Sequence, residues 1–200
     1  MTFADLAHAP APEVDDLALA LAAEFGPVDD AAARAELDRL GEEVAKEDDH
    51  DHARIVEVLA RRHGFTGDRE AYDDPQNSML DAVLRRRKGL PILLSVVYIA
   101  VGRRAGIEVD GWSLPGHFVV AIGPRVIDPF DGGTLLTVDA EIEPWAPKDI
   151  ALRMLNNLVG SYQRRGDLGG ALTAAELRMT LPGADATVEA ELVALRARLN

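Results

Sequence analysis

The stretch from Pro91 to Ala105 constrains the fold more than any other part of the chain. It begins with proline, which is favoured at the first position of a helix, and it ends in two arginines before Gly106. Its side chains are apolar on most sides of a helix, so little of it suits contact with water. We therefore predict one helix buried at the centre of the molecule, with the other elements packed around it.

Two short extended runs follow the central helix. Residues His117 to Ile122 and Arg125 to Asp128 are joined by Gly123-Pro124, which predicts a tight hairpin. A third strand is expected to begin near Thr134. The predicted fold class is therefore α+β, with the central helix packed on a small antiparallel sheet.

Helical patterns flank this core on both sides. Apolar residues recur at helical spacing, and helices are predicted over Val14 to Phe25, over Asp30 to Lys46 and through Ile55 and Leu59. The helical pattern returns from Pro147. We expect a helical N-terminal layer over residues 1–63, a core over residues 64–146 and a helical tail over residues 147–200.

Part of the tail has the spacing of one tetratricopeptide-type unit. The residues that carry this spacing are Leu155, Leu158, Gly160, Tyr162, Gly166, Asp167, Ala171 and Leu172. A further predicted helix, Thr187 to Leu199, would be the first half of a second unit. Because such repeats need about three copies to be stable alone, we expect the tail to pack on the core or to contact a protein partner.

Composition excludes several classes of function. The 200 residues include no cysteine, so disulfides, thiolate zinc sites and cysteine-dependent catalysis are excluded. The 34 acidic residues outnumber the 21 basic ones, and the net charge of −13 disfavours binding to nucleic acid or an anionic membrane. No apolar run approaches the roughly 20 residues of a membrane span. We expect a cytoplasmic protein without a cofactor, and the oligomeric state stays open.

Four segments carry a family resemblance: Tyr72 to Ser78, Arg86 to Ser95, Pro115 to Phe118 and Ile127 to Gly133. In this order and spacing they resemble the SirB-type branch of the transglutaminase-like superfamily. The resemblance implies a papain-like core, in which a cysteine nucleophile begins a buried helix and a histidine and an aspartate follow on neighbouring strands. It places His117 and Asp128 at the last two positions.

The same resemblance aligns the Gly-x-Cys of those enzymes with Gly89-Leu90-Pro91. Proline has no ionisable side chain and no N–H, so Pro91 can neither attack a carbonyl nor donate to an oxyanion. Ser95 is the nearest substitute, since it lies four residues later on the same helix face, about 6 Å along the axis. We favour a hydroxyl that bonds back to the Pro91 carbonyl over a Ser95-His117-Asp128 triad.

The hairpin also predicts a contact between His117 and Asp128. A two-residue loop pairs Ile122 with Arg125, and hence Val119 with Asp128. His117 lies two residues from Val119, so it shares a face with Asp128, with Cα atoms roughly 7–8 Å apart. The pair either fixes the hairpin as a buried polar contact or marks a functional cleft. We expect such a cleft to be lined by Asn77, Pro91, Trp112, Pro115 and Gly116.

His50 and His52 lie in an acidic run with Asp48, Asp49 and Asp51, and such residues can ligate a divalent ion. Residues two apart do not share a helix face. We therefore interpret the run as a solvated acidic linker and expect no metal site.

Two further features have two interpretations each. The basic run Arg85 to Lys88 either meets an anionic ligand at the mouth of the cleft or pairs with acidic residues of the N-terminal helices, and we favour the second. Asn77 either caps the helix that runs through Leu80 and Leu84 or donates a hydrogen bond into the cleft.

Three functional hypotheses follow. The first is a non-catalytic binding or regulatory module, whose cleft near His117, Asp128 and Trp112 takes a protein or peptide partner. The alternative is a hydrolase or amidase in which the His117-Asp128 pair activates water or Ser95. The third is a scaffold in which the helical tail is the functional part.

Overall fold

In a computed structural model, which describes residues 1–138, 143–183 and 186–199, the chain begins with three helices. These are α1 (Phe3–His8), α2 (Val14–Ala23) and α3 (Asp30–Ala45). Thr2 and Asp5 cap the start of α1 reciprocally, and the side chain of Asp29 accepts from the Ala32 N–H at the start of α3. Local capping therefore sets where two of the three helices begin.

Part of the acidic run is helical. A helix, α4 (Asp51–Val56), begins inside it and continues as a π-helical stretch over Glu57–Arg62. His50 is the residue before the helix, and Asp51 lies in its first turn, where a carboxylate is favourable. The linker prediction was therefore wrong for Asp51 and His52, because the carboxylate suits the start of a helix.

The segment between α4 and the central helix contains short elements. Strand β1 (Thr66–Gly67) pairs in parallel with β2 (Lys88–Gly89), and between them lie a 3-10 turn (Pro75–Ser78) and α5 (Leu80–Arg86). The central helix, α6, spans Pro91–Arg104 and is buried along nearly all its length. The helix predicted to begin at Pro91 is therefore present, and it is buried.

Four antiparallel strands form the sheet, in the order β3-β4-β5-β6. They are β3 (Asp110–Leu114), β4 (His117–Ile122), β5 (Arg125–Asp128) and β6 (Thr134–Leu136). Ile122 pairs with Arg125 across Gly123-Pro124, so the predicted hairpin register is confirmed. Strand β4 lies against α6, and Phe118 and Val120 belong to the same apolar core as the residues of that helix.

Three helices complete the described chain: α7 (Pro147–Arg164), α8 (Leu168–Arg178) and α9 (Ala186–Leu199). Tyr162 of α7 stacks on Phe25 with ring centroids 5.5 Å apart, and Arg164 forms an ion pair with Asp73. The buried Arg178 donates to Asn156 of α7 and to Glu191 of α9. The tail therefore packs on the rest of the molecule.

The fold is α+β, as predicted, and one apolar core extends from α1 to α9. Within the described ranges, no helix combines the length and apolarity that crossing a bilayer requires.

Candidate functional site

His117 and Asp128 meet across the β4–β5 hairpin. His117 begins β4 and Asp128 ends β5, and His117 Nε2 lies 2.7 Å from Asp128 Oδ2. The histidine side chain is 30% exposed, whereas the aspartate side chain is only 9% exposed. The contact predicted from strand parity is present, and it leaves part of the imidazole accessible to a ligand.

Asp128 is itself fixed by the backbone. Its second oxygen, Oδ1, accepts hydrogen bonds from the N–H groups of Phe130 (2.8 Å) and Asp131 (3.2 Å), and its carbonyl accepts from Gly133. With both carboxylate oxygens engaged, Asp128 sets the orientation of the His117 ring. Among the described residues, the hydrogen bond of the His117 ring is the one made by Nε2, so Nδ1 keeps its hydrogen-bonding capacity for a ligand.

An aromatic wall borders the histidine. The Phe130 ring stands edge-on to His117, with centroids 6.4 Å apart, and edge-on to Tyr72, with centroids 6.0 Å apart. The Arg69 guanidinium lies over the same Phe130 ring at 4.9 Å and pairs with Asp131 at 2.7 Å. We call His117, Asp128, Phe130, Tyr72 and Arg69 the His117 site.

Phe130 is held in place by β1. Its carbonyl accepts from the Gly67 N–H at 2.9 Å, and a Cβ atom on Gly67 would lie 2.4 Å from the ring. Only glycine therefore fits beneath Phe130. The site residues predicted from the sequence did not include Tyr72, Phe130 or Arg69. Tyr72 and Phe130 nevertheless lie in the segments that carry the family resemblance.

The predicted cleft residues on α6 and the sheet lie as follows. Pro91 is buried at the first position of α6. Trp112 pairs with Val119 and Leu114 pairs with His117, so Trp112 and His117 lie on one face of the sheet. The Trp112 Nε1 atom is buried, and it has no partner within the described residues. Pro115 and Gly116 form the exposed turn between β3 and β4, where Gly116 has φ +72°.

Asn77 does not cap α5, so that interpretation was wrong. A 3-10 turn separates Asn77 from α5, so Asn77 does not lie at the start of that helix. The residue before α5 is Met79, whose side chain makes no capping hydrogen bond. The buried Asn77 amide instead donates to the Ala71 carbonyl at 2.7 Å and accepts from Arg86 at 3.1 Å. Its role is to hold the segment next to Tyr72 in place.

Ser95 is fully buried, and its hydroxyl has no hydrogen-bond partner in the described part of the chain. The predicted bond from the Ser95 hydroxyl to the Pro91 carbonyl is therefore wrong. No hydrogen bond joins Ser95 to His117 within the same residues. Tyr98, on the same helix face, also has a buried unpaired hydroxyl, and burial and then the charge of Asp128 raise its pKa.

The basic run pairs only partly as predicted. Arg87 binds Glu36 of α3, which fits the favoured interpretation. Arg86 instead binds the buried Asp68 at 2.7 Å, and Arg85 binds Asp81 of its own helix at 2.6 Å. Each of the three arginines thus has a carboxylate partner.

A cavity of about 520 Å³ lies among α1, α2 and α3, and none of the predicted cleft residues lines it. The lining of this cavity consists mostly of Leu, Ala and Val side chains, and its Arg34 is paired with Asp16. The size of the cavity therefore does not indicate a function. The oriented imidazole, and not cavity volume, identifies the candidate site.

Comparisons with known proteins place this geometry in a family context. A family model described as transglutaminase-like superfamily matches residues 31–154. A UPF0162 protein of Pseudomonas aeruginosa is 30% identical over 190 residues, which cover 82% of this chain and 70% of that protein.

Two further UPF0162 proteins match a shorter stretch. One from Xylella fastidiosa is 46% identical over 93 residues, covering 44% of this chain and 32% of that protein. One from Vibrio cholerae is 35% identical over 83 residues, covering 39% and 31%. The match thus spans about a third of the length of these two relatives. No solved structure matches the chain.

Proposed function

Because the chain belongs to the transglutaminase-like superfamily, we propose that it is a non-catalytic member whose His117 site binds a peptide segment of a protein partner. One observation carries the proposal: an imidazole oriented by Asp128 is accessible at the surface, while the chain contains no cysteine. The position that the family resemblance gives to the nucleophile is Pro91, at the start of α6. The site can recognise a ligand but lacks the cysteine nucleophile that the family resemblance implies.

The chemistry of the wall supports a peptide ligand. His117 Nδ1 can donate to a peptide carbonyl or accept from a peptide N–H. Tyr72, which is 46% exposed, offers an apolar ring beside it, and Arg69 offers a cation at the rim. Aromatic and arginine side chains dominate the binding energy of protein interfaces, so these two residues are the expected anchors.

The finer assignment is part of the proposal. We place the chain in the SirB-type branch and its tail among tetratricopeptide-like units that contact the partner, in the cytoplasm. The packing of α7 on α8 supports the tetratricopeptide-like unit alone: a Cβ on Gly170 would lie 2.5 Å from the Tyr162 ring, so glycine lets the two helices approach closely.

The test is a selection of random peptides on the immobilised full chain, followed by affinity measurement. His117→Ala and Tyr72→Ala should each weaken the selected peptide at least tenfold. Arg125→Ala, on the other end of the same hairpin, is the matched control and should bind normally. Equal affinity for all four proteins would refute the assignment of binding to this site.

A second candidate is a hydrolase or amidase, favoured by the partner-free Nδ1 of an oriented histidine among the described residues. In this case His117 would activate water, or Ser95 would be the nucleophile. A fluorophosphonate label that Ser95→Ala abolishes would support the serine route. Ester or amide turnover that survives Ser95→Ala but not His117→Ala would support the water route.

A further inference from the structure

The basic groups of the His117 site are already paired with carboxylates. Arg69 Nη2 lies 2.7 Å from Asp131 Oδ1, and His117 Nε2 lies 2.7 Å from Asp128 Oδ2. Each pair joins one basic and one acidic group, so neither presents an uncompensated positive charge to a ligand. Because the whole chain has a net charge of −13, an acidic ligand gains little from this site.

The groups that surround Phe130 are planar. The Arg69 guanidinium lies over the Phe130 ring, 4.9 Å from its centroid, and the Tyr72 ring meets Phe130 edge-on at 6.0 Å. The His117 ring also meets it edge-on, with centroids 6.4 Å apart. An imidazole, a phenol and a guanidinium thus contact one phenyl ring.

Exposure decides which of these groups a ligand can contact. Phe130 is only 8% exposed, so its ring mainly supports its neighbours. Tyr72 is 46% exposed, and the Arg69 side chain is 64% exposed although Phe130 and Asp131 already hold it. A side chain that is held in place before binding loses less conformational entropy when a ligand packs on it. Tyr72 and Arg69 are therefore the surfaces that the site offers to a ligand side chain.

We propose that the ligand of the His117 site carries an aromatic side chain, which packs on the Tyr72 ring and the Arg69 guanidinium. This inference rests on the proposed peptide-binding function and adds the class of side chain that the peptide presents. Aromatic rings attract one another edge to face, and a guanidinium is attracted to the face of a ring. An aliphatic side chain would gain only the burial of apolar area. An acidic side chain would meet an arginine that is already paired with Asp131.

The experiment is an NMR titration of the ¹⁵N-labelled full chain with three blocked tripeptides, whose central residue is phenylalanine, cyclohexylalanine or glutamate. Cyclohexylalanine has the carbon skeleton of phenylalanine without its π electrons. The phenylalanine peptide should shift the amide resonances of Tyr72 and Arg69. It should bind about two- to fivefold more tightly than the cyclohexylalanine peptide, the ratio that an exposed cation–π contact provides. The glutamate peptide should bind most weakly.

Three variants separate the charge of Arg69 from its planar shape. Arg69→Lys keeps the charge but removes the plane, so it should weaken the phenylalanine peptide by about two- to fivefold. Arg61→Lys, the same change at an exposed arginine that pairs with Glu57, is the matched control and should leave all three affinities unchanged. Asp131→Asn should tighten the glutamate peptide, because it releases the charge of Arg69. The amide spectrum of each variant shows whether it is folded.

Three outcomes would overturn the aromatic specificity. Equal affinities for the phenylalanine and cyclohexylalanine peptides would show that the wall is only an apolar surface. Tightest binding of the glutamate peptide would show that Arg69 receives an anion. Unshifted resonances with the phenylalanine peptide would show that the site does not recognise an aromatic side chain. In each case the peptide-binding function is judged separately, by whether His117→Ala weakens a selected peptide.

Discussion

Asp128 uses its two oxygens for different tasks: Oδ2 orients His117 at 2.7 Å, and Oδ1 accepts the N–H groups of Phe130 and Asp131. Asp128→Ala should therefore destabilise the protein by about 1–3 kcal/mol, since it leaves backbone donors unpaired. His117→Ala should lose only about 1 kcal/mol, because the ring is partly exposed. Urea unfolding measures both, and Asp131→Ala is the surface control. A larger loss for His117→Ala than for Asp128→Ala would contradict this division of roles.

Gly67→Ala should disturb the His117 site from beneath. The added Cβ would lie 2.4 Å from the Phe130 ring, so the ring must move or the strand must shift. We expect a loss of about 1–3 kcal/mol in the free energy of unfolding. At Gly26 a Cβ meets nothing within 4 Å, so Gly26→Ala should be neutral in the same thermal and urea measurements. Equal stability of the two variants would show that Phe130 is not tightly held.

Ser95→Ala should leave the protein as stable as the parent, or more stable by up to about 1 kcal/mol, because it removes a buried hydroxyl without a partner. Tyr98→Phe should behave in the same way, since its hydroxyl is also unpaired among the described residues. Chemical denaturation provides the measurement. A loss of 1 kcal/mol or more in either variant would mean that the hydroxyl has a partner in solution.

The hairpin and the central helix could be predicted because both are local. A two-residue loop at Gly123-Pro124 fixes the register, and strand alternation then brings His117 to Asp128. The helix from Pro91 could be recognised because it is apolar on most sides and has a proline start.

The rest of the site depends on contacts between distant segments. Phe130 meets Gly67 through a strand of only two residues, which is too short for a periodicity to reveal. The helix cap, one of two interpretations of Asn77, fails because a 3-10 turn that has no distinct apolar pattern separates Asn77 from α5. The rings of His50 and His52 lie 6.2 Å apart, with His50 in an extended conformation before α4. The sequence alone could not predict that conformation.

Stability should fall in acid partly through Glu36. Hydrogen bonds from Arg39 foremost, and then from Arg87, lower the pKa of Glu36 from 4.5 to about 2, against the opposing effect of burial. A carboxylate with a lowered pKa stabilises the folded state above pH 4.5, and this contribution disappears as the pH falls toward 2.

Glu36→Gln should therefore lower the melting temperature at pH 6. Between pH 6 and pH 3, the melting temperature of this variant should fall by less than that of the parent protein. Glu42→Gln is the control, since Glu42 is 75% exposed and its lysine partner is 4.0 Å away. An unchanged pH profile in Glu36→Gln would contradict the assignment.

Arg178 should control the attachment of the last helix. Its side chain is only 6% exposed and joins α7 to α9 through Asn156 and Glu191. In Arg178→Ala, the amides of α9 should exchange with deuterium about tenfold faster or more, while those of α6 keep their protection. Arg61→Ala removes an exposed pair within one helix and should change neither. Uniformly faster exchange throughout the chain would show that α9 opens only with global unfolding.

The most direct test of a binding function without turnover is one assay on the purified full chain and its His117→Ala variant. Amide, ester and glutamine-donor acyl-transfer substrates are followed to products by mass spectrometry, beside affinity for a selected peptide. The proposed function predicts no product above the protein-free rate with either protein, and peptide binding that His117→Ala weakens at least tenfold. Product formation that disappears in a folded His117→Ala variant would contradict it.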